Sequence, residues 1–240
     1  MKNTILDRLR EERQMRLKGG LYHYTQIKFA YNTNRIEGSR LTEDQTRYIY
    51  EANTISTGDN QTANVDDIIE TVNHFTCFDF MLKNTEKPLS EKIIKEFHSV
   101  LKRGSSDSFK DWFKVGGYKS RENFVADLKT TPPSKVKKEM ASLVSSYLKE
   151  NIDFDKIVEF HYNFERIHPF QDGNGRVGRL IMFKECLKHN IVPFIIENEH
   201  KQFYYMGSKE YLGSKARLTD TCLFAQDVYK DTLKYLNIHY

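Results

Sequence analysis

The chain is poor in cysteine, proline, glycine and tryptophan, and it has no long apolar run. Cys77, Cys186 and Cys222 are odd in number, far apart and outside any C-x-x-C spacing. That excludes a disulfide framework and a zinc cluster and points to a reducing compartment. No stretch approaches the roughly 18 apolar residues that a membrane span needs, and residues 2–20 are too charged to hold the apolar centre of a signal peptide. The expectation is a cytoplasmic protein with no membrane partner. Net charge is scarce as well: 37 Lys and Arg against 33 Asp and Glu leave +4, too little and too dispersed for a stripe that would track a phosphate backbone. Nucleic acid is therefore excluded as the main partner.

What is present is core material. Sixteen Phe and 14 Tyr are available to a chain of 240 residues, long enough to bury roughly 70–75% of its unfolded surface. The five prolines and 12 glycines fall mostly between periodic segments, so the whole chain reads economically as helices. These are expected near 3–17, 22–37, 42–51, 65–84, 89–103, 134–149, 154–167, 174–189, 200–212 and 217–236. The first carries Ile5, Leu6, Leu9 and Leu17 and is stopped by Gly19-Gly20; Ser90, Asp153 and Thr219 are the expected N-caps. Residues 1–60 read as an N-terminal helical lobe and 61–240 as the core. The exception is 113–133, where Gly-Gly, aromatics, a short alternation from Phe124 to Leu128 and a Pro-Pro stop fit either a hairpin flap or a connecting loop.

Residues 161–180, HYNFERIHPFQDGNGRVGRL, concentrate the chemistry. A helix ends near Ile167; His168, Phe170 and Asp172 follow; then Gly173-Asn174-Gly175 opens a new helix carrying Arg176 and Arg179. A glycine-flanked turn at a helix start is an anion site, because its unpaired N–H groups and positive dipole end face the ligand. Two arginines add charge-assisted bonds suited to a polyphosphate. Asp172 beside them suits Mg²⁺, which takes one or two carboxylates plus substrate phosphates. His168 has the ordinary pKa of a general base at neutral pH. Neither an EF-hand nor a Walker loop fits: Val177 stands where the former needs glycine, and G-x-x-x-x-G-K-[ST] does not occur. His161, within a helix beside Tyr162 and Phe164, reads as a core or supporting residue and not as a metal ligand.

The run His168-Pro-Phe170-Gln-Asp172-Gly173-Asn174-Gly175-Arg176-Val-Gly-Arg179 matches the H-x-F-x-[DE]-G-N-G-R-x-x-R signature, and the chain from about 65 to 235 resembles Fic-domain proteins. The resemblance implies an all-α Fic-type bundle with a short β-hairpin flap over the active site. It implies an enzyme that transfers AMP from ATP to a Tyr, Thr or Ser hydroxyl of a target protein and releases pyrophosphate. By the same resemblance His168 deprotonates the hydroxyl, Phe170 anchors the loop, and Asp172 holds Mg²⁺. Gly173, Asn174, Gly175, Arg176 and Arg179 bind the nucleotide phosphates, with Tyr204 and Tyr205 as candidates for the adenine pocket. The flap Val125, Ala126, Asp127, Leu128 and Lys129 docks the target backbone.

Thr33-Asn-Arg-Ile-Glu37-Gly38 fits the [ST]-x-x-x-E-[GN] motif of autoinhibited members of that family. Glu37 ends a helix just before Gly38, where the macrodipole disfavours an anion, so a specific cationic partner is expected. The resemblance names Arg179. The alternatives are a module that binds ATP unreactively and Fic-type transfer of another phosphate-containing group. Self-modification, removal of AMP from a target and homo-oligomerisation stay open.

Overall fold

The computed structural model describes residues 4–58, 62–125 and 128–240. Ten α-helices account for most of them: α1 Thr4–Met15, α2 Leu21–Ile36, α3 Glu43–Ala52, α4 Val65–Asn84, α5 Glu91–Lys102, α6 Pro133–Tyr147, α7 Phe154–Ile167, α8 Asn174–Lys188, α9 Lys201–Glu210 and α10 Ala216–Tyr235. The fold class is all-α. Two short 3₁₀ turns, Ser106–Phe109 and Asn198–His200, complete the helical elements. Between α5 and α6 two short strands, β1 Phe124–Val125 and β2 Leu128–Lys129, pair antiparallel, Phe124 opposite Lys129 and Val125 opposite Leu128. Ala126 and Asp127, which join them, lie outside the described residues.

Local signals account for most boundaries. Ser90 accepts from the Ile93 N–H and Asp153 from the Lys156 N–H, so both cap their helices. Thr42 and Gln45 close a capping box on α3. Two expectations fail. Helix α1 stops at Met15, not at Leu17: Arg16 turns left-handed (φ 52°) and the Leu17 N–H returns to the Glu12 carbonyl, leaving Leu17 exposed. Thr219 is not an N-cap, because its N–H already bonds to the Lys215 carbonyl inside α10.

Helix α8 is the axis of the molecule. All residues from Asn174 to Leu187 are buried, so it lacks the polar face of a surface helix. Phe183 on α8 meets Phe29 of α2 at 5.2 Å and Phe78 of α4 at 5.5 Å between ring centres. Ile5, Leu6 and Leu9 of α1 and Phe29 of α2 belong to the same apolar cluster as Phe78, Phe97, Phe164, Phe170 and Phe183. The N-terminal helices therefore share the core that holds α8. Glu12, fully buried, ties α1 to α2 by accepting from the Tyr22 N–H at 2.8 Å and from Arg8 at 2.6 Å. A second cluster under α9 and α10 includes Ile36, Val158, Tyr162, Met182, Tyr204 and Cys222.

Candidate active site

The motif loop is suspended between α7 and α8. His168 ends α7 with φ 49° and ψ 62°, its N–H on the Phe164 carbonyl at 2.9 Å. A non-glycine residue there costs about 1–2 kcal/mol, so the surroundings must hold it. Pro169 gives its carbonyl to the Lys119 N–H at 2.8 Å. Phe170, fully buried, stacks on His98 with ring centres 4.0 Å apart and planes 1° from parallel. Asn174 staples the loop from the other side: its Oδ1 accepts from the Phe170 N–H at 2.8 Å and its Nδ2 donates to the Phe170 carbonyl at 2.9 Å. The Asn174 side chain is thus committed to the loop, and what it can offer an anion is its backbone N–H. Gly173 takes φ +80° at the N-cap, a conformation that glycine supplies without strain. The first N–H groups of α8 have no partner within the helix and mark the anion seat.

The groups around that seat fall into two sets. On one side Arg176, from α8, pairs with Glu70 of α4 and with Asp172 Oδ2 at 3.0 Å. Lys102, at the end of α5 and 2% exposed, reaches the same Asp172 Oδ2 at 2.7 Å, Asp107 at 3.1 Å and Glu70. Burial alone would raise the Asp172 carboxyl; Arg176 and Lys102 outweigh it and hold the group well below the usual carboxylate range. Glu70 and Lys102 carry no motif, and the sequence reading missed both.

On the other side Arg179, 3% exposed, is gripped by α2. Its Nε donates to Thr33 Oγ1 at 2.6 Å, and its Nη2 donates to the Thr33 carbonyl at 3.1 Å and to Glu37 Oε1 at 2.6 Å. Glu37 caps the C-terminus of α2, and Gly38 follows at φ +101°. Its carboxylate is carried to the start of α8, where a Cβ on Gly175 would collide with Oε1. An anion poorly placed on its own helix thereby sits at the positive end of another. Burial opposes charge on Arg179, but Glu37 beside it raises the guanidinium pKa.

His168 lies in half-buried surroundings where burial and the nearby Lys119 ammonium lower its pKa to about 4. It is neutral at pH 7 and able to accept a proton. Lys119, itself lowered to about 8 by burial, ties the hairpin segment to this loop through Asn123 Oδ1 and Thr130 Oγ1, both at 2.6 Å. Tyr204 is not a wall of an open adenine pocket: it is 3% exposed, packed in the second core cluster, with its hydroxyl 2.5 Å from His161 Nε2. His161 is the buried supporting residue its helical context implied. Tyr205 stays half-exposed and donates to the Ile36 carbonyl at 3.0 Å, at the end of α2. Phe124 stands 61% exposed on β1.

Among the described residues no group of three or more His, Cys, Asp or Glu could hold a metal. Asp172 alone fits a cation that is shared with a ligand: its side chain is 47% exposed, one oxygen is fixed by two cations, and no side chain among the described residues bonds Oδ1. That suits Mg²⁺ held by one carboxylate and by phosphates. No helix among the described residues is long and apolar enough to cross a membrane.

Residues 88–186 match the model of the Fic/DOC family. Over 195 residues the chain is 28% identical to a protein adenylyltransferase Fic of Nematostella vectensis, covering 78% of this chain and 42% of that protein. The protein adenylyltransferase fic-1 of Caenorhabditis elegans is 25% identical over 190 residues, 75% of this chain and 35% of its own. The chain thus spans less than half the length of these curated relatives. Among solved structures, a Fic domain containing signaling protein from Bacteroides thetaiotaomicron has a TM-score of 0.71 at 23% identity, over 98% of this chain and 92% of that one. A Fic-1 fragment from C. elegans has 0.73 at 20% identity, over 97% and 72%. At such identities the likeness is one of fold, and it runs through α1 and α2 as well as the motif. The family match thus lies across the motif whose loop and arginines are described above, and over residues 88–186 the chain is similar to the Fic/DOC family.

Proposed function

We propose that the protein is a Mg²⁺-dependent protein adenylyltransferase, held inactive by its own N-terminal lobe, residues 1–60. The observation that carries this reading is the arrangement around the start of α8: a neutral histidine, an anion seat and two buried arginines, one of them claimed by Glu37. ATP would place its phosphates over Gly173, Asn174 and Gly175, with Arg176 and Arg179 as counter-charges. Asp172 would hold Mg²⁺, which supplies neutralisation of phosphate charge when bound. His168 would take the proton from a Tyr, Thr or Ser hydroxyl of the target. That oxygen attacks the α-phosphorus, the bond to the bridging oxygen breaks, and pyrophosphate leaves with the electron pair. Positioning and charge neutralisation carry such a transfer, with little covalent work for the protein. The strand pair at 124–129 would add an extended target segment to its edge.

In the resting molecule the Glu37 carboxylate occupies both Arg179 and the surface of Gly175. The γ-phosphate is thereby denied its cation, so ATP binds in an unproductive pose. A module that binds ATP without reacting draws support from the completeness of the same clamp, three hydrogen bonds on one guanidinium. The two readings separate on label transfer from α-³²P-ATP and γ-³²P-ATP to protein, with wild type, Glu37→Gly and Glu37→Gly/His168→Ala. The α-label alone, strongest in Glu37→Gly and absent from the double variant, is the expected result. The γ-label would mean transfer of a different group, and no label despite ATP binding would mean the unreactive module.

A further inference from the structure

On the reading above Asp172 presents one oxygen to a cation in a fixed direction, yet nearly half of its side chain is exposed and its own loop offers it only the Gly173 N–H. Its side-chain anchors come from two helices: α5, outside the motif, and α8, whose first turn carries the motif's Arg176. Both anchoring bonds fall on the same atom, Oδ2: Lys102 Nζ at 2.7 Å and Arg176 Nη2 at 3.0 Å. Glu70 in turn bridges Lys102 through Oε1 and Arg176 through Oε2. The four groups close a ring in which every charge has two opposite neighbours, and among the described residues no side chain bonds Asp172 Oδ1.

The backbone beneath this ring is fixed as well. Asn73, one turn after Glu70 on α4, donates its Nδ2 to the carbonyls of Leu101 at 2.9 Å and Arg103 at 2.7 Å, on either side of Lys102. The Lys102 stem is buried on the apolar stripe of α5 with His98 and Leu101. A lysine normally loses much rotamer freedom to hold one geometry; here that freedom is removed by packing before any ligand arrives.

We propose that Lys102, with Glu70 as its counter-ion, is a positioning residue that turns Asp172 so that Oδ1 alone meets the divalent cation of the nucleotide. The ring also sets the charge of the seat. Glu70 and Asp172 balance Lys102 and Arg176, and Asp107 is balanced by Lys110 at 2.6 Å, so the cluster is neutral and its two buried cations do not repel a divalent ion outright. This inference rests on the nucleotidyl-transfer reading above.

The test uses the full chain with Glu37→Gly as parent and Mn²⁺ as a spectroscopic probe, its binding followed by electron paramagnetic resonance with a non-hydrolysable ATP analogue. Outer groups that orient a metal ligand typically contribute about 10–100-fold to metal affinity. Lys102→Met should weaken Mn²⁺ by about that factor, raise the Mg²⁺ needed for half-maximal transfer to match, and leave the KM for ATP at saturating metal little changed. Combined with Asp172→Asn, it should add nothing to the loss that Asp172→Asn causes alone, because Lys102 acts through that carboxylate. Unchanged Mn²⁺ affinity in a folded Lys102→Met protein, or losses that multiply in the double variant, would overturn the proposal. If Lys102→Met does not fold, Glu70→Gln takes its place: it loosens the ammonium without removing it and should move Mn²⁺ affinity in the same direction, with no movement counting against the idea. A parent that binds no Mn²⁺–nucleotide and transfers nothing would sink the functional reading itself, whereas a competent parent indifferent to Lys102 would sink this inference alone.

Discussion

Arg176 and Arg179 stand one turn apart on the same buried helix, and both are paired with carboxylates, but the partners differ in origin. Arg176 is held by Glu70 and Asp172, groups outside the N-terminal residues 1–60. Arg179 is held by Thr33 and Glu37, all from α2. On the function proposed above, similar burial serves opposite ends: the first set would organise a site, and the second would occupy it. Static contact strength does not distinguish them. Removing a partner of Arg176 should lower activity, and removing a partner of Arg179 should raise it.

The largest effect is expected where the two sets share a support. Phe170 anchors the loop that joins His168, Asp172 and the start of α8, with its ring stacked on His98 and its backbone stapled by Asn174. Phe170→Ala should destabilise the fold by about 3–5 kcal/mol and abolish nucleotide binding on both sides at once. Denaturant unfolding alongside ATP-analogue titration would show this; a loss under 1 kcal/mol would mean the ring is not the anchor.

Next comes the sign of the comparison itself. A hydrogen bond to a charged group contributes about 1.5–3 kcal/mol, so freeing Arg179 by Glu37→Gly should raise transfer about 10–100-fold. Thr33→Val keeps the shape and removes only the Nε bond, so a smaller rise, about several-fold, is expected. Glu70→Gln in the Glu37→Gly background should move the rate down. Initial-rate measurements on the three variants decide it: a fall in Thr33→Val, or a rise in Glu70→Gln, would erase the distinction between the two arginines.

How much of this the sequence carried follows from where each signal resides. The helices were legible because their apolar stripes and caps are local; Asp153 and Ser90 cap as their positions imply. Thr219 misled because a Thr-Asp pair ahead of an apolar-periodic run looks the same whether the helix starts there or one turn earlier. The motif was legible because its residues lie within twelve positions. Thr33 and Glu37 were legible only through resemblance, since nothing local joins them to an arginine 142 residues away. Glu70 and Lys102 were missed for the same reason. One sign was available: Lys102 falls on the stripe Ile94, His98, Leu101 of α5, and a charge on an apolar stripe demands a buried counter-charge. Tyr204 and Tyr205 show the limit of adjacency, for one of the pair is core and the other reaches α2.

The smallest effect separates the buried neutral groups from the paired charges. Burial lowers His74, His98 and His161 to about 3 and His168 to about 4. It raises Glu165, which also faces Glu37, to about 8. An unfolded histidine takes its proton near pH 6.5. Between pH 4 and 6.5 the unfolded chain therefore binds more protons than the native one, and stability must rise with pH. Near pH 7 that gain ends, because native Glu165 keeps a proton the unfolded chain has lost, which tilts stability downward. Lys119, lowered to about 8, begins to shed its proton in the native state and offsets the tilt. Melting temperature should climb steeply from pH 4 to 7 and level off between 7 and 8. Glu165→Gln removes the downward contribution, so its curve should keep climbing across that last unit. A plateau unchanged by the substitution would show that Glu165 is ionised in the native protein and belongs with the paired charges around Arg179.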